Sequence, residues 1–254
     1  PHQRDAVAWA LHGGRRALFE SFGLGKTVQE LEFCYQAAIH EDGQALIVLP
    51  LGVKQEFTRD AVELLGYQKP VYCRTMEEVY AAANSRIILT NYERVRDGDI
   101  RPEYFCATSL DEASVLRSFG SKTYQTFLEK LKNVPYKLVA TATPSPNKYK
   151  ELIHYAGYLE VMDTGQALTR FFQRDSTKAN NLTLFPNMED EFWLWVSSWA
   201  LFATKPSDLN PEYSDEGYNL PELEIKWHEL PVHYGDTEDR DGQMQLFTEA
   251  AAGL

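Results

Sequence analysis

Eight residues near the start of the chain have the types and spacing of a phosphate-binding loop. Residues 20–27 read ESFGLGKT and end in Gly-Lys-Thr. In such a loop the backbone N–H groups surround a polyphosphate, the lysine reaches the β- and γ-phosphates, and the threonine hydroxyl binds Mg²⁺. The pattern predicts a nucleoside triphosphate site in which Lys26 contacts phosphate and Thr27 contacts the metal.

The loop departs from the general pattern G-x-x-x-x-G-K-[ST] at one position, because Glu20 stands where that pattern has glycine. A short Gly-Lys-Thr sequence is a weak signal by itself. The alternative is a glycine turn followed by a helix with an exposed lysine, and the loop alone leaves that alternative open.

A second candidate is the acidic pair Asp111 and Glu112, which follows an apolar run at residues 105–110. At the end of a strand, Asp111 could hold Mg²⁺ directly or indirectly, and Glu112 could orient and polarise an attacking water. The alternative is a solvated acid pair that begins a helix, where acids are favourable without any function.

Alternating strand and helix patterns would position both candidates. Apolar stretches predict buried strands at residues 17–19, 45–49, 87–90, 105–110 and 137–141. Helical spacing of apolar residues occurs at 3–11, after 27, and at 53–65, 76–83 and 122–131. This alternation predicts an α/β fold with a parallel sheet covered by helices on both faces. Ligands of such sheets lie at the carboxyl ends of the strands, where the candidate residues fall.

After residue 146 the alternation gives way to a mainly helical extension and then to extended, acidic segments. One helix, predicted from about residue 188 to 203, is rich in aromatic residues. These residues could form a base-stacking platform, but they occupy more than one helical face, which favours packing in a core. They are Phe192, Trp193, Trp195, Trp199 and Phe202.

The charge distribution leaves a nucleic-acid partner open. The formal net charge of the 254 residues is −12, but residues 206–254 hold twelve acids and two bases and so carry −10 of it. A nearly neutral body can still present a local basic groove. The three cysteines, Cys34, Cys73 and Cys106, are far apart and predict reduced core residues of an intracellular protein. No apolar run is long enough to cross a membrane, and no signal peptide opens the chain.

Six segments with recognisable residue patterns follow one another along the chain. They are PHQ at 1–3, ESFGLGKT at 20–27, ALIVLP at 45–50 with Gly52 and Phe57, ILTNYE at 88–93, LDEAS at 110–114 with Arg117 and SKTYQ at 121–125, and TATPSPN at 141–147. In residues and order they resemble the motifs of the first lobe of the superfamily 2 helicase-like ATPases, specifically the Swi/Snf type of double-stranded DNA translocase. In that family an acid stands at the position of Glu20, so the missing glycine supports the resemblance. Residues 205–209 and 219–221 resemble the segment that leads to the second lobe.

The resemblance implies a RecA-like P-loop NTPase sheet that uses ATP and Mg²⁺. It implies Lys26, Asp111 and Glu112 as catalytic residues, Thr27 and Asp111 as metal ligands, and Thr141 and Thr143 as residues that couple hydrolysis to the grip on DNA. The implied nucleotide contacts are Gln3, Gly23, Leu24, Gly25, Lys26 and Thr27. The implied DNA contacts are Gly52, Lys54, Thr90, Asn91, Arg117 and Lys122. For Lys54 and Lys122 a solvated helix face is an equal alternative.

From the resemblance we expect an ATP-dependent motor that moves along duplex DNA with little sequence specificity. We expect the first lobe at residues 1–157, a helical extension and return segment at 158–234, and an acidic linker at 235–254. The arginine motif of the second lobe is not in these residues, and arginine fingers contribute about 10³ to 10⁵ in rate. The chain should therefore bind ATP better than it hydrolyses it.

One more departure from the family pattern and two alternative functions remain. Ser114 replaces a histidine of the family, which puts in question the hydrogen bond that couples the motif at 110–114 to the motif at 141–147. A strand-separating helicase or restriction-type motor subunit is the alternative within the enzyme class, and a non-hydrolysing, nucleotide-dependent DNA scaffold is the alternative outside it. The expected location is intracellular: cytoplasmic with the nucleoid if the source is prokaryotic or viral, nuclear if it is eukaryotic.

Overall fold

The computed structural model describes residues 1–117, 120–145, 148–174, 182–218 and 224–228. Its helices are α1 (His2–Gly13), α2 (Lys26–His40), α3 (Lys54–Glu63), α4 (Met76–Ala81), α5 (Tyr92–Asp97), α6 (Lys122–Lys130), α7 (Lys150–Tyr158), α8 (Thr164–Phe171) and α9 (Glu189–Ser197). Its strands are β1 (Arg15–Glu20), β2 (Ala45–Val48), β3 (Val71–Tyr72), β4 (Ile87–Thr90), β5 (Ala107–Leu110), β6 (Tyr136–Ala140), β7 (Phe172–Arg174), β8 (Leu182–Leu184) and β9 (Ala200–Ala203).

Seven of these strands form one sheet in the order β3-β4-β2-β5-β6-β1-β9. All of its pairings are parallel. The carboxyl ends of the strands therefore meet at one edge, which is where a parallel α/β sheet binds its ligands. The predicted α/β fold with a parallel sheet is confirmed.

Helices cover both faces of the sheet because its strands are apolar on both sides. In β1, Ala17 and Phe19 pack into one core while Leu18 packs into the other, as the alternation of side chains along a strand requires. The first core is completed by α4 to α9, and the second by α1, α2 and α3. This double burial explains why the strands read as continuous apolar runs in the sequence.

The aromatic helix ends earlier than predicted. α9 stops at Ser197, and residues 200–203, predicted as its last turn, form strand β9 against β1. Main-chain bonds fix this strand: the N–H of Ala17 donates to the carbonyl of Trp199 at 2.9 Å, and the N–H of Ser21 donates to that of Ala203 at 2.9 Å. The open edge of β1 offers these hydrogen bonds, so tertiary pairing overrides the helical pattern.

The structure agrees with the favoured interpretation of the aromatic segment, which is packing in a core. Phe192 and Trp199 are almost completely buried in the first core, and Trp193 and Trp195 pack against it half-buried. Phe202 is 43% exposed on β9. The segment beyond residue 146 also contains strands that the sequence did not indicate, because β7 and β8 pair as an antiparallel hairpin.

The chain divides into two compact units, Pro1–Asn219 and Leu220–Leu254. The first unit includes most of residues 158–234, which we predicted to be an extension, since β9 belongs to the main sheet. In the second, the described residues 224–228 have no regular secondary structure. The predicted acidic linker at 235–254 and the segment 219–221 lie outside the described residues, and the boundary at residue 157 stays a prediction.

Two further predictions concern the cysteines and the membrane. Cys34 and Cys73 are buried free thiols, and Cys106 is a half-buried free thiol. Among the helices of the described residues, none combines the length and the apolar character needed to cross a bilayer.

Candidate active site

The candidate phosphate loop lies between the end of β1 and the first residue of α2. Gly23 and Gly25 have left-handed backbone conformations, with φ of 84° and 80°. The left-handed conformation favours glycine at position 25, and a Cβ there would lie 2.0 Å from Nε2 of Gln3 and displace that side chain from the loop. Gly25 is also the N-cap of α2, whose positive end therefore points into the loop.

Lys26 is the first residue of α2, and its ammonium group lies across the loop. Nζ donates to the carbonyl oxygens of Glu20 at 2.9 Å and Ser21 at 3.1 Å. It also lies 5.5 Å from the ring centre of Phe22. A cation in this position can exchange its bonds to neutral carbonyls for stronger bonds to charged phosphate oxygens.

Helix α1 is attached to the same loop by two side chains. Nε2 of Gln3 donates to the carbonyl oxygen of Leu24 at 3.3 Å, and Nε2 of His2 lies 3.2 Å from the same oxygen. Thr27 is half-buried in the first turn of α2. The structure thus brings together all six residues that the sequence assigned to the nucleotide.

Glu20, the residue that departs from the general loop pattern, is buried and connected to the loop through Gln29. Its side chain is 1% exposed and accepts a 2.6 Å hydrogen bond from Nε2 of Gln29, which also donates to the carbonyl of Leu24 at 3.2 Å. Burial raises the pKa of Glu20 to about 7, against the opposing effects of Gln29 and the charge of Lys26. The glutamate therefore ties the end of β1 to α2.

The acidic pair follows β5 at the same sheet edge, with β6 alone between β5 and β1. Asp111 is 7% exposed. Burial, and then the neighbouring charge of Glu112, raise the pKa of Asp111 to about 6, while the charge of Lys26 lowers it. A buried carboxylate with a raised pKa is stabilised by a nearby cation, so the environment of Asp111 suits a metal ligand.

Glu112 is held in an unusual backbone conformation by its surroundings. Its φ of 48° lies in the left-handed region, which costs a residue with a side chain about 1–3 kcal/mol. Thr141, fully buried at the end of β6, donates from Oγ1 to Oε2 of Glu112 at 3.4 Å and accepts at 3.2 Å from the N–H of Thr143. Ser114 Oγ donates to the carbonyl oxygen of Glu112 at 3.5 Å.

The motifs at residues 110–114 and 141–147 are joined by the bond from Thr141 to Glu112, and Thr143 contacts Thr141 through its N–H. The coupling role of Thr141 and Thr143, and the effect of Ser114 in place of histidine, stay predictions.

A buried glutamate in α2 belongs to the same cluster, and sequence reasoning missed it. Glu30 is fully buried, and its Oε2 accepts a 2.6 Å hydrogen bond from Oγ of Ser109 in β5. Burial and then the charge of Asp111 raise the pKa of Glu30 well above its usual range. The sequence contained one signal that Glu30 is buried, because helical spacing puts it on the same face of α2 as the apolar residues Cys34 and Ala37.

Tyr92 connects the acidic pair to the next motif along the sheet edge. Its hydroxyl donates to the carbonyl oxygen of Asp111 at 2.6 Å, and its ring stacks on Phe127 with centroids 5.5 Å apart. Sequence reasoning placed Tyr92 in a motif without giving it a role. A bond between residues 19 positions apart has no local sequence signal.

A cavity of about 660 Å³ adjoins the acidic pair on the side of the predicted DNA contacts. Its lining includes Pro50, Leu51, Asn91, Arg94, Arg96 and Glu112. Glu112 therefore faces this cavity, and the cavity lies between the segments after β2, β4 and β5. The sequence predicted that these segments would meet.

The predicted DNA contacts differ in how far their side chains reach the surface. Gly52 is exposed, and an added Cβ there would meet no atom within 4 Å. Lys54 is half-buried at the start of α3, and Lys122 is exposed at the start of α6. The backbone of Arg117 is described, ending a 3₁₀ helix, but its side chain lies outside the description.

Thr90 and Asn91 are more enclosed than a surface contact requires. Thr90 is fully buried, and its hydroxyl donates to the carbonyl of Cys73 at 2.9 Å, so its side chain serves the sheet. Asn91 is 6% exposed, accepts from the hydroxyl of Tyr72 at 2.9 Å and donates to Glu93. Asn91 still lines the cavity, whereas Thr90 could take part only through its backbone.

The oxygen donors at the sheet edge fit Mg²⁺. Mg²⁺ prefers oxygen ligands and is usually bound by one or two protein groups together with phosphates of the substrate. Thr27 provides a hydroxyl and Asp111 a carboxylate. In the described ranges, no group of three or more His, Cys, Asp or Glu side chains is arranged to hold a metal ion.

A glycine loop, an acidic pair and a threonine that bonds to it, all at the carboxyl edge of one parallel sheet, define a RecA-like P-loop domain of the helicase-like, nucleotide-binding class. The model of the SNF2-related domain family matches residues 2–182, which is well over half of the chain. The chain therefore belongs to the SNF2-related domain family, and the resemblance stated from the motifs is confirmed.

Curated relatives match in sequence. A Caenorhabditis elegans protein, chromodomain-helicase-DNA-binding protein 3 homolog, is 26% identical over 198 residues, which cover 63% of this chain and 11% of the relative. Human chromodomain-helicase-DNA-binding protein 9 is 25% identical over 184 residues, which cover 63% of this chain and 6% of the relative. The chain thus spans a small part of the length of these proteins.

Solved structures show the same fold. The Sulfolobus solfataricus SWI2/SNF2 ATPase core in complex with dsDNA matches with a TM-score of 0.63 and 19% identity, over 80% of this chain and 44% of that one. The UvsW helicase from bacteriophage T4 matches with a TM-score of 0.51 and 14% identity, over 62% of this chain and 56% of that one. At these identities the likeness concerns the fold.

Proposed function

We propose that the chain is the first, ATP-binding lobe of a Mg²⁺-dependent ATPase that is driven by DNA and moves along the duplex. The observation that carries the proposal is the position of Glu112, which accepts a hydrogen bond from Thr141 and also lines the 660 Å³ cavity. The carboxylate suited to activating water is thus part of the surface suited to nucleic acid.

Each residue of the cluster has a task in this proposal. Lys26 neutralises the β- and γ-phosphates, the backbone N–H groups of the loop surround them, and Gln3 lies where it can contact the base. Glu112 accepts a hydrogen bond from the attacking water and aligns it with the γ-phosphate. Thr27 and Asp111 would hold Mg²⁺, which would supply positive charge to the phosphate oxygens. Thr141 orients Glu112.

Duplex DNA is the proposed partner, bound through its backbone with little sequence specificity. Support comes from the relatives, one of which is described as a SWI2/SNF2 ATPase core in complex with dsDNA. We assign contacts to phosphate to Gly52, Lys54, Asn91 and Lys122, and such contacts position a protein without reading sequence. Both proposed partners, ATP and DNA, imply a place inside the cell.

We further propose that a second RecA-like lobe completes the site. Arginine side chains from such a lobe would stabilise the transition state, so the chain alone should hydrolyse ATP slowly. In this arrangement the nucleotide site lies within residues 1–157, residues 158–234 add β9 to its sheet before leading toward the second lobe, and residues 235–254 are a linker.

Separating ATP binding from hydrolysis tests the assignment of the residues. Lys26→Ala should lose Mg²⁺-ATP binding, because the phosphates lose their main cation. Glu112→Gln should retain binding within a factor of about three but lose turnover by roughly 10² or more, since general bases contribute about 10²–10⁴. Binding is measured by titration of a fluorescent ATP analogue, and turnover by phosphate release from the full-length protein.

Matched controls come from exposed residues away from the site. Lys132→Ala and Glu129→Gln should leave binding and turnover unchanged. Turnover of Glu112→Gln equal to that of the wild type would contradict the catalytic assignment. Tight ATP binding together with no turnover in any variant, the wild type included, would favour a nucleotide-dependent scaffold instead.

A further inference from the structure

A groove separate from the 660 Å³ cavity lies between α3 and the edge strand β3. Its volume is about 540 Å³. One wall comes from the first turns of α3 and the other from the residues around β3. The polar lining consists of Lys54, Gln55, Thr58, Arg59, Lys69 and Tyr72.

Three cations line this groove. The side chain of Arg59 is 58% exposed and its guanidinium group donates from Nε at 2.9 Å and Nη2 at 2.8 Å to the buried carboxylate of Asp60. Because a guanidinium has five N–H donors, this bond holds it in place and leaves donors for a ligand. Within the described residues neither Lys54 nor Lys69 forms an ion pair.

The acids of α3 lie outside this lining. Glu56 and Glu63 act on Arg59 through their charge, but neither lines the groove. The lining therefore carries three positive charges and no acid, apart from the buried carboxylate of Asp60 behind it. A polyanion fits such a surface.

The groove is continuous with the proposed DNA surface. Nζ of Lys54 lies 4.9 Å from the ring centre of Tyr72, and the hydroxyl of Tyr72 donates to Oδ1 of Asn91 at 2.9 Å. Asn91 lines the 660 Å³ cavity together with Arg94 and Arg96. Tyr72 thus connects the basic groove to a cavity whose lining carries acids as well, namely Glu93, Asp97 and Glu112.

We propose that the groove between α3 and β3 binds backbone phosphates of duplex DNA, so that the footprint of this lobe extends beyond the motif residues to Arg59 and Lys69. The inference rests on the proposed function, because it is the continuity with that surface that selects DNA among polyanions. The lining offers cations and amide groups to phosphates without a surface for reading bases, so the added contacts are independent of sequence.

The salt dependence of binding tests this proposal. Each phosphate contact contributes about −0.9 to the slope of log affinity against log salt concentration for duplex DNA. The double variant Arg59→Ala/Lys69→Ala should lower the magnitude of this slope by about 2 and weaken binding roughly tenfold or more at low salt. Binding of a labelled duplex to the full-length protein is followed by fluorescence anisotropy with a non-hydrolysable ATP analogue.

A matched control lies on other elements of the chain. Arg170 in α8 is about as exposed as Arg59 and, like it, is paired with an acid, and Lys132 is an exposed lysine before β6. Arg170→Ala/Lys132→Ala removes the same charge and should keep the wild-type slope. Arg59→Lys/Lys69→Arg should also keep it, which shows that charge, and not folding, is what the first variant lost.

Three results would overturn the inference. If the double variant keeps the wild-type slope while the wild type binds DNA, the groove does not bind phosphates and the proposed function stands. If the slope is kept but binding of polyglutamate is lost, the groove belongs to an acidic polypeptide. If the wild type binds no duplex at all, the proposed function fails and this inference with it.

Discussion

Glu20 shows how one residue can change the meaning of a motif. In the general phosphate loop its position is glycine, whereas here a buried carboxylate joins β1 to α2 through Gln29. Its raised pKa of about 7 means that folding favours the protonated form, since an exposed glutamate has a pKa near 4.5.

This shift predicts a pH dependence of stability. The folded pKa lies above the unfolded one, so the contribution of Glu20 is fully present below about pH 4.5 and is lost as the pH rises to about 7, by an amount on the order of 3 kcal/mol. In Glu20→Gln this loss should disappear. Urea unfolding of wild type and variant at about pH 5 and about pH 8 gives the free energies to compare.

The exposed Glu129→Gln serves as control and should follow the wild type at both pH values. Equal pH dependence in Glu20→Gln and wild type would mean that Glu20 is not the group responsible. Asp111 and Glu30, whose pKa values are also raised, should leave a decline of the same sign in the variant, so the test is the difference between wild type and variant.

At the scale of elements, the sheet edge connects the nucleotide site to the DNA surface through side chains of neighbouring motifs. Tyr92, the first residue of α5, bonds to the carbonyl of Asp111 and lies one residue after Asn91, which lines the cavity. A shift of the segment after β4 would therefore act on the acidic pair.

We expect Tyr92→Phe to uncouple the two surfaces. The variant keeps the ring and its stacking on Phe127 but loses the 2.6 Å hydrogen bond. Stimulation of ATP turnover by saturating duplex should fall about fivefold or more, in line with a lost hydrogen bond of about 1 kcal/mol or more. Turnover without DNA and the affinity for ATP should stay within a factor of about two.

Tyr80→Phe, a change on an exposed tyrosine of α4 that does not line the 660 Å³ cavity, is the matched control. If stimulation in Tyr92→Phe equals that in the control, the bond does not carry coupling. A loss of turnover without DNA would show instead that Tyr92 supports the acidic pair itself.

The sequence predicted those elements whose signals are local and missed those that depend on pairing. Strands β1, β2, β4, β5 and β6 are buried on both faces and read as apolar runs. β3 has only two residues, which is too short for a sequence pattern. β9 continues the aromatic helical pattern in the sequence, but its residues pair with the edge of β1. The same limit applies to the site: the loop and acidic pair are contiguous motifs, whereas Glu30 and Tyr92 act through contacts across the fold.

At the scale of the whole molecule, the compact unit Pro1–Asn219 brings ATP-binding and DNA-binding candidates to one edge of one sheet. In the proposed function a second lobe supplies arginines at this edge. The shared edge supports the proposal of a motor in which nucleotide controls the grip on DNA, rather than a DNA-binding module that carries a separate nucleotide site.

DNA-stimulated ATP turnover of the full-length protein is the most direct measurement of this account. With Mg²⁺ present, phosphate release by the wild type should rise at least tenfold on adding duplex DNA. Glu112→Gln should lower the stimulated rate by roughly 10² or more. A wild-type rate that is indifferent to DNA, or a stimulated rate that Glu112→Gln leaves unchanged, would contradict the central claim.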